Sequence, residues 1–449
     1  MAVNLAAMHR QTCRRLGDRP CLRHKAEGTY RDLSWAAARE QADRVAAGLL
    51  GVGIAPGDRI GMLSPNRHEW ILADQAILSI GAVNVPMHAP LVPPQVVYQL
   101  RHSDARAVFV SDQAQADKVL DGLDEVPDLE LMISFDPVVA GGRLRTIGWS
   151  ELAATGSAAG EAGTRAVLEL EAKVTGQDLA TIMYTSGTTG RPKGVMLTHS
   201  NLLSNAEACL HESLVREGDT LLSWLPYSHI YARLCDLYLT AMVGVTVALA
   251  ESVDTVVQNL AEIQPSWMTS VPRLYEKLWS AVESLPSQER AARLRAILGP
   301  NLKMLSSGGA ALPRHVGEGF RDAGILVLQG YGLTETSPVI ASNRPSSNRV
   351  GTVGPALPDI EIRIAPDGEI LTRGPHVMKG YWKDPEATSA TIVDGWLHTG
   401  DVGMLEDDGH LIITDRKKDL IITSGGKNIA PTEVERILVS DPYIDQAVA

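Results

Sequence analysis

Residues 184–194 read Tyr184-Thr-Ser-Gly-Thr-Thr-Gly-Arg-Pro-Lys-Gly194, and an apolar, β-branched run over 179–184 leads into them. The run predicts a buried strand that ends where the glycines begin. Three glycines allow the backbone to turn its N–H groups toward one point, and four serine or threonine hydroxyls add donors. Arg191 and Lys193 supply positive charge. The stretch therefore has the composition of a loop that cradles phosphate groups.

This loop differs from the common P-loop. That motif places a serine or threonine directly after its lysine, whereas Gly194 follows Lys193 here. On composition alone, a surface loop rich in serine, threonine and glycine is an equally good interpretation. The choice between the two depends on the rest of the chain.

Length and composition indicate a globular enzyme of more than one domain. The 449 residues exceed one ordinary core, and 45% hydrophobic with 21% charged residues is typical of a soluble protein. A net charge of −12 without a long basic run argues against nucleic acid as a partner. The four cysteines form no C-x-x-C pair, which indicates reduced thiols in the cytosol.

The chain carries no pattern of a signal peptide or a membrane span. Its first ten residues lack a charged segment followed by an apolar one. The longest nearly uncharged apolar run, 237–250, has 14 residues and is shorter than a bilayer requires. It predicts a buried helix that leads into a strand. We expect a cytoplasmic protein, with peripheral membrane contact left open.

Helical and strand patterns alternate along the first 150 residues and again after the loop, which predicts an α/β fold with parallel sheets. The predicted helices cover 35–50, 69–80, 94–102, 201–210 and 275–282, and the predicted strands cover 59–63, 82–86, 107–110, 220–225 and 243–249. Between these parts, 137–176 is rich in glycine, alanine and serine and predicts a linker or irregular surface segment. Residues 351–380 predict a small β-barrel or distorted sheet.

A second polar motif, Gln329-Gly-Tyr-Gly-Leu-Thr-Glu-Thr336, follows a strand-like segment. Its glycines present a hydroxyl, Thr334, beside a carboxylate, Glu335, and oxygen ligands of this kind hold Mg²⁺ near phosphates. A helix cap in a surface turn is the structural alternative. Upstream, Ser306-Ser-Gly-Gly-Ala-Ala311 offers small residues against which a flat ring could lie, or a packing turn.

A third carboxylate follows a predicted turn in Trp396-Leu-His-Thr-Gly-Asp401. A carboxylate accepts two hydrogen bonds well, as from the hydroxyls of a ribose. A capping aspartate is the alternative. Close behind comes the dense charge run Asp415-Arg-Lys-Lys-Asp-Leu420, which a solvated turn would also explain.

Taken together and in this order, the motifs resemble those of the adenylate-forming superfamily, which contains acyl-CoA synthetases, luciferases and the adenylation domains of peptide synthetases. The resemblance covers essentially the whole chain. It implies a large N-terminal domain at 1–415, made of two α/β subdomains with parallel-rich sheets and a small β-barrel-like subdomain. A hinge and the beginning of a small α+β C-terminal domain would follow at 416–449.

The resemblance also implies ATP and Mg²⁺, and it assigns roles to residues of this chain. The phosphates would lie against Lys193, Thr334 and the loop residues Thr185, Ser186, Gly187, Thr188, Thr189 and Gly190. Mg²⁺ would bind Glu335 together with Thr185. The adenosine would contact Gly308, Gly309, Gln329, Gly330, Tyr331, Asp401, Arg416 and Lys418.

The acid that is activated is indicated by Leu225-Pro-Tyr-Ser-His-Ile-Tyr-Ala-Arg233. Amino-acid-activating relatives carry an aspartate here to hold the ammonium group, and this segment has none. The segment resembles the long-chain fatty acyl-CoA synthetase branch, which implies a fatty acid and coenzyme A as substrates. His229 would lie near the carboxylate, with a structural histidine as the alternative. A ligase that loads a carrier protein, and a nucleotide- or acyl-binding protein without turnover, remain open, as does a homodimer.

In that superfamily the C-terminal domain supplies a late lysine that contacts the reacting groups. This chain ends at Ala449, whereas a complete domain of ordinary size would need roughly 100 residues after the hinge. We therefore expect the 449-residue chain to bind ATP and the acyl-adenylate and to form the adenylate slowly.

Overall fold

The computed structural model describes residues 3–185, 191–417, 421–422, 428–429 and 438. The helices found there are α1 (Leu5–Leu16), α2 (Trp35–Gly51), α3 (His68–Ser79), α4 (Pro93–His102), α5 (Gln113–Leu120), α6 (Trp149–Ala158), α7 (Gly160–Glu171), α8 (His199–Leu210), α9 (Ile230–Ala232), α10 (Thr240–Val243), α11 (Val256–Ile263), α12 (Pro272–Ser280), α13 (Ser287–Leu298), α14 (Arg314–Asp322) and α15 (Pro385–Thr391). A π-helix, Arg233–Leu239, joins α9 to α10, and 3₁₀ turns cover Leu123–Glu125 and Thr334–Thr336.

The strands of the same residues form three main sheets and one short pair. In chain order they are β1 (Pro20–Ala26), β2 (Thr29–Ser34), β3 (Arg59–Leu63), β4 (Val83–Met87), β5 (Ala105–Val110), β6 (Leu131–Ser134), β7 (Arg145–Gly148), β8 (Leu179–Thr185), β9 (Lys193–Thr198), β10 (Thr220–Ser223), β11 (Thr246–Leu249), β12 (Trp267–Ser270), β13 (Met304–Ser307), β14 (Val327–Gly332), β15 (Val339–Ser342), β16 (Glu361–Ile364), β17 (Glu369–Arg373), β18 (Gly380–Tyr381), β19 (Ile392–Val393), β20 (Trp396–Leu405), β21 (Leu411–Arg416), β22 (Ile421–Ile422) and β23 (Asn428–Ile429).

The first sheet carries the glycine-rich stretch at one edge. In the described chain its order is β18-β9-β8-β4-β3-β5-β6-β7, and the strands from β8 to β7 run parallel. β9 turns back antiparallel to β8, so that Thr185 and Lys193 face each other in the register. The two ends of the predicted phosphate loop are therefore held side by side.

The second sheet has the order β15-β14-β13-β12-β10-β11-β1-β2, again parallel in its centre and with antiparallel edges, among the residues described. One face buries Met268, Leu305 and Val327 in a core with residues of α12 and α14 such as Tyr275 and Phe320. Side chains alternate along a strand, so their neighbours point to the opposite face, which lines a cavity.

The third sheet is small, antiparallel and irregular. Its order is β16-β17-β20-β19, with β21 paired to β20. The register shifts between Glu369 and Leu371 and again between Val402 and Gly403. Within the described residues this confirms the prediction of a distorted sheet in this region.

A buried polar network joins the first sheet to the helical segment beside the second. The guanidinium of Arg233 donates to Asp74 at 2.5 Å and to the Thr181 hydroxyl at 2.7 Å, and Asp74 accepts from the Tyr238 hydroxyl at 2.9 Å. Arg233 and Asp74 are fully buried. Burying two charges is tolerable only when they are paired and hydrogen-bonded, and these are. The network fixes how the π-helix lies against the first sheet.

Most predicted elements are confirmed to within a few residues, but the linker predicted over 137–176 is wrong. That segment contains β7, α6 and α7, and α6 packs against α2. A Cβ on Gly156 would lie 1.8 Å from the carbonyl oxygen of Arg44, and one on Gly48 would lie 2.2 Å from that of Leu152. The small residues therefore allow two helices to approach closely.

The apolar run at 237–250 is confirmed as a buried helix that leads into a strand. The helix continues to Val243, and Gly244 ends it in the left-handed conformation with φ of 96°. The strand consequently begins at Thr246, later than predicted. Across the described residues, every helix is too short or too polar to cross a bilayer.

Candidate active site

One cavity of about 690 Å³ lies where the three main sheets meet. Parallel strands place ligands at their carboxyl ends, and β13 and β14 both end here. The cavity brings together most residues that the sequence singled out, namely Thr185, Lys193, His229, Gly308, Gly309, Gly330, Tyr331, Thr334, Glu335 and Arg416. These residues come from parts of the chain more than 200 positions apart, and the fold brings them together along the wall of one cavity.

Part of the wall is polar, and we call Lys193, Thr334, Glu335, Tyr381 and Arg416 the polar arm. The ammonium of Lys193 lies 4.9 Å from the ring centre of Tyr381, a cation–π contact. The Tyr381 hydroxyl donates to Glu335 at 2.8 Å. Lys193 and Glu335 are thus linked through one aromatic ring, with opposite charges on either side of it.

Asp401 is not part of the cavity wall itself but contacts two residues that line it. Its carboxylate accepts from the Tyr331 hydroxyl at 2.6 Å and pairs with the Arg416 guanidinium at 3.2 Å. The residue lies inside β20, directly after Gly400 with φ of 72°, and is 4% exposed. The prediction that it follows a turn is therefore wrong, because an irregular strand carries it. Its position beside Tyr331 and Arg416 supports the predicted ribose contact.

An acidic group that the sequence did not indicate lies close by. Glu369 accepts from Lys417 at 2.8 Å and from the Gly400 backbone N–H at 2.9 Å, and it lies 3.1 Å from His398. Burial alone would raise the pKa of this carboxyl, but Lys417 and His398 hold it below its usual value. A charged Glu369 therefore anchors the chain at Lys417 to the mouth of the cavity.

Another part of the wall is apolar, and we call Tyr231, Cys235, Leu239, Trp267, Met304 and Leu328 the apolar arm. Tyr231, Cys235 and Leu239 recur every four residues and therefore share one face of the helical segment. Trp267 and Met304 pair in the register of the second sheet, on the face opposite its buried core. The Tyr231 hydroxyl lies 2.9 Å from that of Ser306 and ties the helical segment to the sheet.

His229 lies where the two arms meet. Its Nδ1 accepts from the Tyr231 backbone N–H at 3.3 Å, so the proton of the neutral ring is assigned to Nε2. The ring is exposed at the cavity wall, yet the surrounding protein lowers its pKa, and the nearby His88 lowers it further. A neutral ring with a free Nε2–H is a hydrogen-bond donor toward the cavity.

Some predicted residues lie elsewhere. Gln329 is outside the cavity wall, and its carbonyl accepts from the Asn343 N–H at 2.9 Å. The loop residues at 186–190 and Lys418 lie outside the described residues. Residue Arg416 still pairs with Asp401 in the register of β20 and β21, whereas most of the predicted C-terminal start at 416–449 is not described.

The donor set of the polar arm suits a hard divalent cation. Mg²⁺ prefers oxygen ligands and is usually held by one or two carboxylates together with substrate phosphates. Glu335 supplies such a carboxylate, and Thr185 and Thr334 supply hydroxyls on the same cavity wall. Nowhere among the described residues do three histidine, cysteine or acidic side chains form a metal cluster. The residues present therefore fit Mg²⁺ held largely by a bound phosphate.

Comparison with known proteins gives a consistent result. The family model described as AMP-binding enzyme matches residues 9–382. The chain is 35% identical over 463 residues to the long-chain-fatty-acid–CoA ligase FadD15 of Mycobacterium bovis, covering 94% of this chain and 76% of that protein.

Two solved structures are similar along nearly the whole chain. A Mycobacterium tuberculosis fatty acyl CoA synthetase is 28% identical with a TM-score of 0.79, covering 99% of this chain and 84% of that one. The O-succinylbenzoate coenzyme A synthetase of Bacillus subtilis, in complex with ATP and magnesium ion, is 26% identical with a TM-score of 0.76. That match covers 98% of this chain and 85% of the other.

Proposed function

Because the chain belongs to the AMP-binding enzyme family, we propose that it activates a long-chain fatty acid with ATP and transfers the acyl group to coenzyme A. Pyrophosphate leaves in the first step and AMP in the second. The relative FadD15 is named a long-chain-fatty-acid–CoA ligase, which supports this substrate class. ATP, a fatty acid and coenzyme A are accordingly its small-molecule partners.

The observation that carries the proposal is a single cavity with two arms of opposite character. The polar arm offers cations, hydroxyls and a carboxylate suited to a nucleoside triphosphate with its Mg²⁺. The apolar arm offers a long wall of buried aliphatic, aromatic and sulfur-containing side chains suited to an acyl chain. An acyl-adenylate has this same division, with its mixed anhydride at the junction.

In the first step a carboxylate oxygen attacks the α-phosphorus, and the bond to the pyrophosphate oxygen breaks with the electron pair leaving on pyrophosphate. Two anions must approach each other, so neutralising charge and aligning the groups lower the barrier. Lys193 supplies positive charge, and the Nε2–H of His229 donates to the carboxylate and orients it. Mg²⁺, when bound at Glu335, would neutralise further phosphate charge. The chain needs no nucleophile of its own.

In the second step the thiolate sulfur of coenzyme A attacks the acyl carbon, and the carbon–oxygen bond to AMP breaks. The Nε2–H of His229 at the junction can hydrogen-bond the acyl oxygen as negative charge develops there. Asp401 and Arg416 hold the ribose, and the backbone at Gly309, where a Cβ would meet only Val271 at 3.6 Å, leaves room for the adenine. These contacts keep the anhydride at the junction during the exchange.

The test is a panel of acids incubated with the chain, ATP, Mg²⁺ and coenzyme A, with acyl-CoA and AMP measured by mass spectrometry. We expect palmitate and similar acids to give equal amounts of acyl-CoA and AMP. Aryl and short-chain acids should give much less. Acyl-AMP without acyl-CoA would instead favour a ligase that loads a carrier protein. Absence of both products with every fatty acid would refute the proposal.

A further inference from the structure

The apolar arm ends in charged side chains. The cavity is also lined by Glu212 from the segment after α8 and by Arg344 from the segment after β15. Charges at the end of an otherwise apolar wall are costly unless they are paired, because they must be taken out of water. Their placement therefore requires an explanation.

These residues lie at the far end from the polar arm. Tyr231 and Leu239 lie eight residues apart on one face of a segment that is a π-helix from Arg233 to Leu239, which places them roughly two turns apart along the axis. Tyr231 contacts Ser306 at the carboxyl end of β13, and Leu239 lines the same cavity as Trp267 and Met304, the first residues of β12 and β13.

The segment that carries Arg344 runs in the same direction. The Asn343 N–H donates to the Gln329 carbonyl at 2.9 Å, and the Asn348 side chain donates to the Val327 carbonyl at 3.1 Å. The segment thus follows β14 back toward its first residue. Arg344 accordingly lies at the end where the apolar arm runs out.

Glu212 and Arg344 form a bridge between two segments distant in sequence. The Arg344 guanidinium donates to Glu212 at 3.3 Å and to the Ala356 carbonyl at 2.9 Å. The second Glu212 oxygen accepts from the Ser346 hydroxyl. Their side chains are 21% and 36% exposed, so the pair lies between the cavity and the solvent.

The backbone at Glu212 is also held in an uncommon conformation. Its φ is 59°, in the left-handed region that residues other than glycine seldom adopt. The paired charges leave this end without net charge. Arg344 is therefore better described as one half of an ion pair than as an unpaired cation that binds a carboxylate of the ligand.

We propose that the bridge of Glu212 and Arg344 closes the deep end of the apolar arm and sets the longest acyl chain that fits. The proposal rests on the proposed function, because it takes the apolar arm as the acyl site. A chain that reaches the bridge must either separate the two charges or bury a methyl group against them, and both are unfavourable. A chain that stops short of the bridge leaves the two charges paired.

The test measures binding, so that it does not depend on turnover. Acyl sulfamoyl-adenosines with saturated chains from octanoyl to tetracosanoyl would be titrated calorimetrically into the wild-type chain and into Arg344→Ala. Glu212→Gln, which keeps the shape of the side chain, is the second variant. Arg349→Gln is the control, because Arg349 lies on the same segment but pairs with Asp408 at 3.0 Å outside the cavity wall.

We expect the affinity of the wild-type chain to rise with chain length and then to fall. Arg344→Ala should shift the maximum to longer chains, with a gain of roughly tenfold for the longest analogues and little change for the shortest. Glu212→Gln keeps the shape of this end and leaves the guanidinium without its carboxylate, so it should shift the maximum less. Arg349→Gln should keep the wild-type profile.

The same dependence of affinity on chain length in all four proteins would overturn the proposal that the bridge closes the apolar arm. An equal loss of affinity at every chain length in the two bridge variants would overturn it as well. If the profile shifts as expected while no fatty acid is converted to acyl-CoA, the closure stands and the proposed function fails.

Discussion

The two arms of the cavity are built in different ways. The polar arm takes its residues from short contiguous motifs, such as Gly332-Leu-Thr-Glu335, in which backbone turns place neighbouring side chains on one ligand. The apolar arm takes its residues from one helical face and from separate strands that only the folded sheet brings together. The fold assembles both arms, but most members of the first can be recognised from their local motifs, whereas those of the second are recognised only in the folded sheet.

The largest expected effect concerns the network that both arms depend on. Arg233→Ala leaves Asp74 as a buried charge without its guanidinium, and we expect a loss of about 3–5 kcal/mol in the free energy of unfolding. Denaturant unfolding measures it. The matched control is Arg314→Gln, whose side chain is 77% exposed and pairs with Glu318 one helical turn away. The loss of stability in this control should stay below about 1 kcal/mol. Equal losses in both variants would contradict the conclusion that the buried pair of Arg233 and Asp74 stabilises the fold more than a surface pair does.

A smaller effect, confined to the polar arm, is expected from Lys193→Ala. If Lys193 neutralises charge on the reacting phosphate as proposed, its removal should lower the rate of adenylation about a hundredfold to a thousandfold. The measurement is fatty-acid-dependent release of pyrophosphate, with the affinity for ATP determined in parallel. Stability should change little, because Lys193 is only partly buried. Unchanged adenylation and ATP affinity would contradict the assignment of phosphate binding to this loop.

The comparison of the two arms also explains how far the sequence alone reaches. Lys193, Thr334 and Glu335 were predicted because the chemistry of their motifs is local. Tyr381, which joins two of them, was missed because β18 is a two-residue strand that no periodicity reveals. Tyr231 and Trp267 read as ordinary core residues, since nothing in their neighbours indicates a cavity. The linker assigned to 137–176 failed because small residues also serve close helix packing.

A pH-dependent effect is expected behind the apolar arm. Asp236 lies in the π-helix and accepts from the Ser223 hydroxyl at 2.7 Å and the Thr269 hydroxyl at 2.5 Å. Burial raises its pKa to about 7, and these hydroxyls offset that only in part. Between its ordinary value near 4 and about 7, the unfolded chain releases this proton while the folded chain keeps it, so stability is lost as the pH rises.

Asp236→Asn removes this titration. Its stability relative to the wild-type chain should therefore increase through that window and reach a gain on the order of 1–2 kcal/mol above it, because asparagine keeps only one acceptor for the two hydroxyls. Melting temperatures of both proteins across the pH range measure the difference. A difference that does not vary with pH would show that Asp236 does not titrate there.

The smallest expected effects come from removing one tyrosine hydroxyl in each arm. Tyr381→Phe removes the bond to Glu335, and Tyr231→Phe removes the bond to Ser306. Each loss is worth about 0.5–1.5 kcal/mol, or severalfold in a kinetic constant. We expect the first to raise the KM for ATP and the second to raise the KM for the fatty acid. The measurement is steady-state kinetics with each substrate varied in turn. Effects that are exchanged between the two variants, or absent from both, would contradict the division of the cavity into two arms.

The most direct test of the central claim is a crystal structure of the chain with a non-hydrolysable palmitoyl-adenylate analogue. We predict that the adenosine lies beside Tyr331 and Asp401, and that the acyl chain follows Tyr231, Cys235 and Leu239 toward the bridge of Glu212 and Arg344. An acyl chain that leaves the cavity elsewhere, or an adenosine bound away from the polar arm, would contradict the account.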